Sequence, residues 1–136
     1  MNTNELLKIL EENKDINIDK LLDNFKNLTF ETYIETLRLK INISKSELIK
    51  KSTLDRNYAY QILNGTKVPS QDKVILLSLA LELDLHDTNN LLTLSHNKVL
   101  YPKLKRDALI ILCINNHYSI IKTNELLYQY NLGILK

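Results

Sequence analysis

The sequence predicts an all-α protein, and three observations carry that prediction. Apolar residues recur at helical spacing along most of the chain. Only two Gly and two Pro occur in 136 residues, whereas an all-β protein needs both at its many tight turns. The one segment that could be read as a strand, 109–114, has no second strand to pair with. We therefore expect about seven or eight short helices.

Composition narrows the classes of protein to consider. The chain is 44% hydrophobic and 25% charged, as soluble globular proteins are. No apolar run approaches the ~18–20 residues that span a bilayer, and the first residues are not those of a signal peptide. One cysteine excludes an internal disulfide, and the three histidines lack metal-ligand spacing. We expect a cytoplasmic, non-enzymatic protein with no catalytic residue, no metal and no cofactor.

Two amphipathic helices, with an apolar stripe between them, are predicted first. Thr3 or Asn4 can cap a helix that ends near Asn13. A second apolar stripe begins at Ile18, and another helix covers about residues 30–41. Their apolar faces comprise Leu6, Leu7 and Leu10, then Ile18, Leu21, Leu22 and Phe25, then Phe30, Tyr33, Ile34, Leu37 and Ile41.

The next two predicted helices, 44–51 and 55–64, are joined by a very short connection. Ser44 is an N-cap candidate that forms a capping box with Glu47. Asp55 is the next N-cap candidate, and Asn64-Gly65 ends that helix, since glycine readily adopts the left-handed conformation. A connection of about three residues is typical of a helix-turn-helix. The residues that fit its inner side are Leu48, Ile49, Leu54, Ala59 and Ile62.

Four further helices follow. Ser70 is placed to cap one, and another surrounds residues 91–94. The run 109–114 is apolar on nearly all sides, so we expect it to be buried between other helices. Ser119 caps the last helix, which Asn131 and Gly133 end. That helix is expected to direct Leu126, Leu127 and Tyr130 inward.

Positive charge is concentrated around the helix-turn-helix. Residues 1–35 carry a net charge of −4, residues 36–73 carry +5, and residues 74–136 carry +1. A basic patch suits a nucleic-acid backbone, because each neutralised phosphate releases counterions. A solvated charged face would have the same composition. The cations of the middle segment are Arg38, Lys40, Lys45, Lys50, Lys51, Arg56, Lys67 and Lys73.

Residues of about 33–95 resemble the lambda-repressor-like (Xre-type) helix-turn-helix domain, a five-helix bundle that binds operator DNA. The matching pattern is Ile43-Ser44-x-x-Glu47-Leu48, then Leu54-Asp55-Arg56-Asn57-x-Ala59-x-Gln61-Ile62, then Asn64-Gly65-x-x-x-Pro69-Ser70. A likeness to Xre-like regulators of low-GC bacteria covers nearly the whole chain. Its marks are Tyr58–Ile62, Gly65–Lys73, Leu100–Lys103, Arg106–Ala108 and Thr123–Tyr128.

The resemblance implies that the helix from Asp55 is a recognition helix that enters the major groove. Arg56, Asn57 and Gln61 occupy the base-reading positions. Arg can bind guanine O6 and N7 through two hydrogen bonds, and Asn or Gln can do the same at adenine. Tyr60 is grouped with them, although Tyr58 and Tyr60 equally suit packing or the sugar–phosphate backbone. The implied phosphate-binding set is Ser44, Lys45, Asn64, Thr66, Lys67 and Arg38.

The chain departs from the family pattern at two positions. Thr53 stands where the turn commonly has Gly, so a left-handed backbone there would be strained. Leu63 stands where the recognition helix often has a Glu, which leaves Arg38 without its usual acidic partner. Arg38 could therefore reach a phosphate instead.

These observations predict three regions: an N-terminal helical extension (1–29), the helix-turn-helix domain (30–97) and a C-terminal helical extension (98–136). The extensions either wrap the central domain or build a dimer interface. The expected partner is operator double-stranded DNA, as an inverted repeat bound by a homodimer. The alternative is a protein-interaction module, such as an antitoxin or adaptor, that binds a protein through its flanking helices. No membrane contact is expected.

Overall fold

A computed structural model describes residues 3–12, 17–23 and 28–136. These ranges contain helices and no strand, which confirms the all-α prediction. The helices number nine within them, one more than expected. Asn13 and Phe25, named above for the first helix and the second apolar stripe, lie outside the described residues. The helices are α1 (Thr3–Glu12), α2 (Ile18–Asp23), α3 (Phe30–Lys40), α4 (Lys45–Ser52), α5 (Arg56–Leu63), α6 (Gln71–Ala80), α7 (Leu85–Leu94), α8 (Lys105–Asn115) and α9 (Ile120–Gln129).

Side-chain caps set several of these helix starts. Ser44, Asp55 and Ser119 each accept a hydrogen bond from the backbone N–H three residues later, so these three caps are confirmed. The capping box at Ser44 differs from expectation, because the Glu47 carboxylate accepts from the Ser44 hydroxyl, at 3.3 Å. Ser70 precedes α6 as predicted but makes no side-chain capping bond.

Helix α6 is the centre of the bundle. Seven consecutive residues, 74–80, are buried, because α4, α7 and α9 pack against different sides of this helix. Helix α3 packs against α5 and α7. The fully buried side chains from these helices interlock in one core, which fixes the orientation of α4 and α5. They include Ile34, Leu48, Ile62, Ile75, Leu77 and Leu91.

A polar contact also joins α3 to α7. The Tyr33 hydroxyl donates a hydrogen bond to Asp87 at 2.6 Å and accepts one from the Asn90 side chain at 3.0 Å. Burial, and then the hydrogen bond to the Asp87 carboxylate, raise the pKa of Tyr33 to about 12. The phenol therefore remains a neutral donor well above neutral pH.

Helices α8 and α9 pack on the bundle through one side only. Helix α8 contacts α7 and α9, and α9 contacts α6. Ile110, Ile114 and Leu127 are fully buried at these contacts. The expectation that 109–114 is buried on nearly all sides is wrong, because Leu112 is 51% exposed on the outer side of α8. The expected inward Tyr130 is also wrong: it follows the last turn of α9 and is 58% exposed.

The last residues of the chain are attached to the start of α6. The Arg106 guanidinium donates two hydrogen bonds to the Asp72 carboxylate, both at 3.1 Å, and one to the Gly133 carbonyl at 3.1 Å. The Lys136 N–H also donates to Asp72, at 3.2 Å. Asn124 accepts from the N–H of buried Leu135 at 2.8 Å. Polar contacts therefore join α8 and the chain end to the N-terminus of α6.

Candidate nucleic-acid interface

The turn between α4 and α5 is organised by a buried serine. The Ser52 hydroxyl donates to the Ile49 carbonyl at 2.7 Å and accepts from the Leu54 N–H at 3.3 Å. Thr53 follows with φ 64° and ψ 7°, the left-handed conformation that the sequence suggested would be strained. For a residue with a Cβ this conformation costs about 1–2 kcal/mol relative to the right-handed one. Sequence reasoning did not single out Ser52.

Helix α5 separates apolar and polar side chains cleanly. Ala59 and Ile62 are fully buried against the bundle. Arg56, Asn57 and Gln61 are all exposed on the opposite side. We call these three residues the outer face of α5. Helices α8 and α9 do not cover this face, since they pack against α6 and α7.

The two tyrosines of α5 lie at the edges of that face. Tyr58 and Tyr60 are partly buried and pack against the core. The Arg56 guanidinium lies 5.7 Å from the centre of the Tyr60 ring, and the Lys73 ammonium lies 5.5 Å from the Tyr58 ring. Of the two roles open from the sequence, packing is the one that the structure shows. Cations so placed gain a favourable contact with the ring faces.

A cleft runs between α4 and α5 beside the outer face. Its volume is about 310 Å³, and Lys50, Thr53, Arg56 and Tyr60 line it together with parts of α4. Lys50 belongs to the last turn of α4 and is exposed. Lys50 and Arg56 are the charged residues of the lining, which includes no acidic side chain, so the cleft attracts a polyanion. Lys51 lines a different pocket, together with Glu47 and Glu82.

The loop after α5 is folded back on that helix. The Thr66 and Lys67 N–H groups both donate to the Gln61 carbonyl, at 2.9 and 3.1 Å. The Asn64 side-chain oxygen accepts from the Thr66 N–H at 3.0 Å. Gly65 has φ +85°, and a Cβ there would lie 2.8 Å from the Glu31 carboxyl group. The positive φ favours glycine at this turn, and the Lys67 side chain, two residues later, is exposed beside the end of α5.

The N-terminus of α4 lies at the other end of the motif. Ser44 is exposed and its hydroxyl is engaged by Glu47. Lys45, the first residue of α4, is partly exposed. The unpaired N–H groups and the dipole of a helix start add partial positive charge there.

Arg38 has a different environment from the other phosphate-binding candidates. Its guanidinium is paired with Glu35 on the same helix and donates to the Ile43 carbonyl at 2.7 Å. The hydrogen bonds from Arg38 hold the pKa of Glu35 below its ordinary value. The Arg38 side chain is only 14% exposed. Glu35 thus replaces the acidic partner that Leu63 does not provide, and Arg38 braces the connection between α3 and α4.

Metal-ligating and thiol side chains were the other candidates for chemistry within the described residues. Among them, no three His, Cys, Asp or Glu side chains are grouped as metal ligands. Cys113 is fully buried, and burial raises the pKa of its thiol, which opposes nucleophilic reactivity. None of the helices in the described ranges has the length and hydropathy needed to cross a membrane.

Comparison with known proteins gives one match. The model of a family described as helix-turn-helix matches residues 34–87, from the middle of α3 to the start of α7. No curated protein and no solved structure matches the chain.

Proposed function

We propose that this protein is a sequence-specific, double-stranded DNA-binding transcriptional regulator, because the helix-turn-helix family model matches residues 34–87 and the sequence resembles the Xre-type, lambda-repressor-like domain. The observation that carries the proposal is the outer face of α5. It presents Arg56, Asn57 and Gln61 to solvent on a helix whose other side is locked into the core. A rigid helix with exposed arginine and amide groups is suited to the major groove, which is wide enough to admit it.

The proposed base contacts follow from the donors and acceptors of these side chains. Arg56 can donate two hydrogen bonds to guanine, and Asn57 and Gln61 can each donate to and accept from adenine. Tyr60 supports Arg56 through its ring, at 5.7 Å, and borders the same surface. Holding the guanidinium at one place before binding reduces the entropy lost on contact.

Phosphate contacts are assigned to both ends of the motif. Ser44 and Lys45 lie at the N-terminus of α4, and Asn64, Thr66 and Lys67 lie after α5. Such contacts fix the register of a protein on the duplex, while base contacts give the specificity. We leave Arg38 out of this set because Glu35 and the Ile43 carbonyl engage its guanidinium.

We further propose that the protein acts in the cytoplasm as a homodimer on an inverted repeat, with no cofactor. One short helix offers few base contacts, and twofold symmetry doubles them over two half-sites about one helical turn apart. The competing function is a protein-interaction module. The exposed apolar side chains of α8 and α9, including Leu112 and Ile121, favour it as the second candidate.

Salt dependence of binding separates the two functions. We expect the affinity for duplex DNA to fall steeply between about 50 and 200 mM salt, because bound phosphates release counterions. Lys67→Ala should weaken binding to all sequences alike and reduce the slope of log K against log[salt] by about 1 per protomer. Fluorescence anisotropy with a labelled duplex measures both quantities.

Lys103→Ala is the matched control, since Lys103 is an exposed lysine outside the helix-turn-helix domain. It should leave the slope unchanged. Binding that is absent at low salt, or that is insensitive to salt and to Lys67, would instead favour the protein-interaction module.

A further inference from the structure

A second surface of the molecule exposes apolar side chains and lies outside the proposed DNA interface. An open groove of about 660 Å³ runs between α8 and α9 on the side away from the core. Two helical stripes line it, at spacings of three or four residues. The stripe on α8 consists of Lys105, Ala108, Leu109 and Leu112. The stripe along α9 and its flanking residues consists of Tyr118, Lys122, Leu126 and Tyr130, and Leu132 closes the end of the groove.

The groove is apolar at its base and positive at its edges. Leu112 and Tyr130 are 51% and 58% exposed, and Leu109 and Leu126 are partly exposed. Lys105 and Lys122 are among the lining residues, which include no acidic side chain. A groove of this kind suits an amphipathic helix that carries negative charge.

Helix α1 has the matching properties. Its ten residues contain three glutamates and one lysine. On this helix Leu7 and Leu10 are 50% and 45% exposed, whereas Leu6 and Ile9 are partly buried. A helix of ten residues is marginal in water unless it packs against another surface. At roughly 15 Å, α1 is also long enough to follow the α8 stripe.

We propose that the groove binds α1 of a second copy of this chain, so that two chains form a dimer through two reciprocal contacts. The proposal deepens the homodimer of the proposed function and names its surface. The charges favour this arrangement over the alternative dimer, in which the grooves of the two copies face each other. That arrangement would place Lys105 and Lys122 of both copies at one apolar contact, where like charges repel strongly. Two exchanged helices close the assembly at two chains.

The sharpest test is complementation between two variants in the absence of DNA. Leu112→Glu charges the groove and leaves α1 intact, whereas Leu10→Glu charges α1 and leaves the groove intact. Both positions are about half exposed, so neither change buries a charge in the separate chain. Sedimentation over about 1–100 μM measures assembly in the range of micromolar dimers.

The wild-type chain should be a dimer, and each variant alone should have a dimer dissociation constant raised about tenfold or more. Mixing the two variants should give a heterodimer that is tighter than the homodimer of either variant and weaker than the wild-type dimer. The α1 of the first can still occupy the groove of the second, which restores one of the two contacts. Ile121→Glu is the matched control: Ile121 is 71% exposed on α9 and does not line the groove, so this variant should dimerise like the wild type.

Three outcomes would overturn the proposal: a monomeric wild-type chain, a Leu112→Glu chain that dimerises normally, or a mixture that associates no more tightly than either variant alone. Circular dichroism of each variant confirms that it is folded. If Leu112→Glu does not fold, Lys122→Glu takes its place, since Lys122 is exposed on α9. A failure of the proposed function is distinguishable, because it would abolish DNA binding while leaving this complementation intact.

Discussion

The outer face of α5 and the junction of α6 with the chain end both depend on arginine, but they use it in opposite ways. Arg56 is exposed, and its guanidinium lies over the ring of Tyr60. The Arg106 side chain is 26% exposed, and its donors are directed to Asp72 and to the Gly133 carbonyl. The two residues have the same chemistry and different surroundings.

This difference indicates which surface stabilises the fold and which surface is available to bind another molecule. Arg106 forms a bidentate pair with the Asp72 carboxylate of another helix. Removing Arg106 would therefore leave this carboxylate with fewer hydrogen-bond partners. Arg56 stands over a core-packed tyrosine on an otherwise solvated face, so its donors can meet an external acceptor. We infer that the α6 junction stabilises the fold and that the outer face of α5 serves binding.

Removing a core side chain of the C-terminal extension should have the largest effect on stability. Leu127 on α9 is fully buried. Leu127→Ala should lower the free energy of unfolding by about 2–4 kcal/mol, because it leaves a cavity between packed helices. Chemical denaturation followed by circular dichroism measures the change. Leu112→Ala, at a half-exposed position of α8, is the control and should cost much less.

A loss below about 0.5 kcal/mol for Leu127→Ala would contradict the structure, since surface substitutions have effects of that size. The C-terminal extension would then not belong to the same cooperative unit as the helix-turn-helix domain.

The two arginines provide the second prediction. Arg106→Ala should lower the free energy of unfolding by about 1–2 kcal/mol, because hydrogen bonds to a partly buried carboxylate are lost. Arg56→Ala should change it by less than about 0.5 kcal/mol. Thermal and urea unfolding of the two variants, measured together, compare them. Equal effects on stability would remove the distinction between the two surfaces.

The third prediction concerns the turn that positions α5. Thr53→Gly should raise the free energy of unfolding by about 0.5–1 kcal/mol. The reason is that glycine relieves the strain of φ 64°, although it also makes the unfolded chain more flexible. Gly65→Ala is the opposing control, because an alanine is strained at φ +85° and its Cβ would displace the Glu31 carboxyl group, 2.8 Å away. A destabilising Thr53→Gly would indicate that the Thr side chain itself holds the turn.

Local signals in the sequence predicted much of the framework. The caps at Ser44, Asp55 and Ser119 were recognisable because each depends on a side chain and a backbone N–H three residues apart. The exposed positions of Arg56 and Gln61 followed from helical spacing relative to Ala59 and Ile62. Within the described residues, the order of the helices from α3 to α9 was predicted for the same reason.

Other features depend on contacts that local patterns do not contain. Arg106 and Asp72 are 34 residues apart, so their pairing required the tertiary structure. The segment 109–114 is apolar on several sides, and its periodicity could not indicate which side faces the core; Leu112 was therefore misplaced. The pairing of Arg38 with Glu35, three residues apart on one helix, was readable from the sequence and was missed.

Selection of bound fragments from random duplex DNA at physiological salt tests the central claim most directly, with the wild-type chain and the Arg56→Ala/Gln61→Ala variant in parallel. We predict that the wild-type chain enriches an inverted repeat whose half-site centres are about 10 base pairs apart. The variant should lose sequence preference while retaining weak, salt-dependent binding. Enrichment of no sequence by the wild-type chain, or of the same sequence by both proteins, would contradict the assignment of base reading to the outer face of α5.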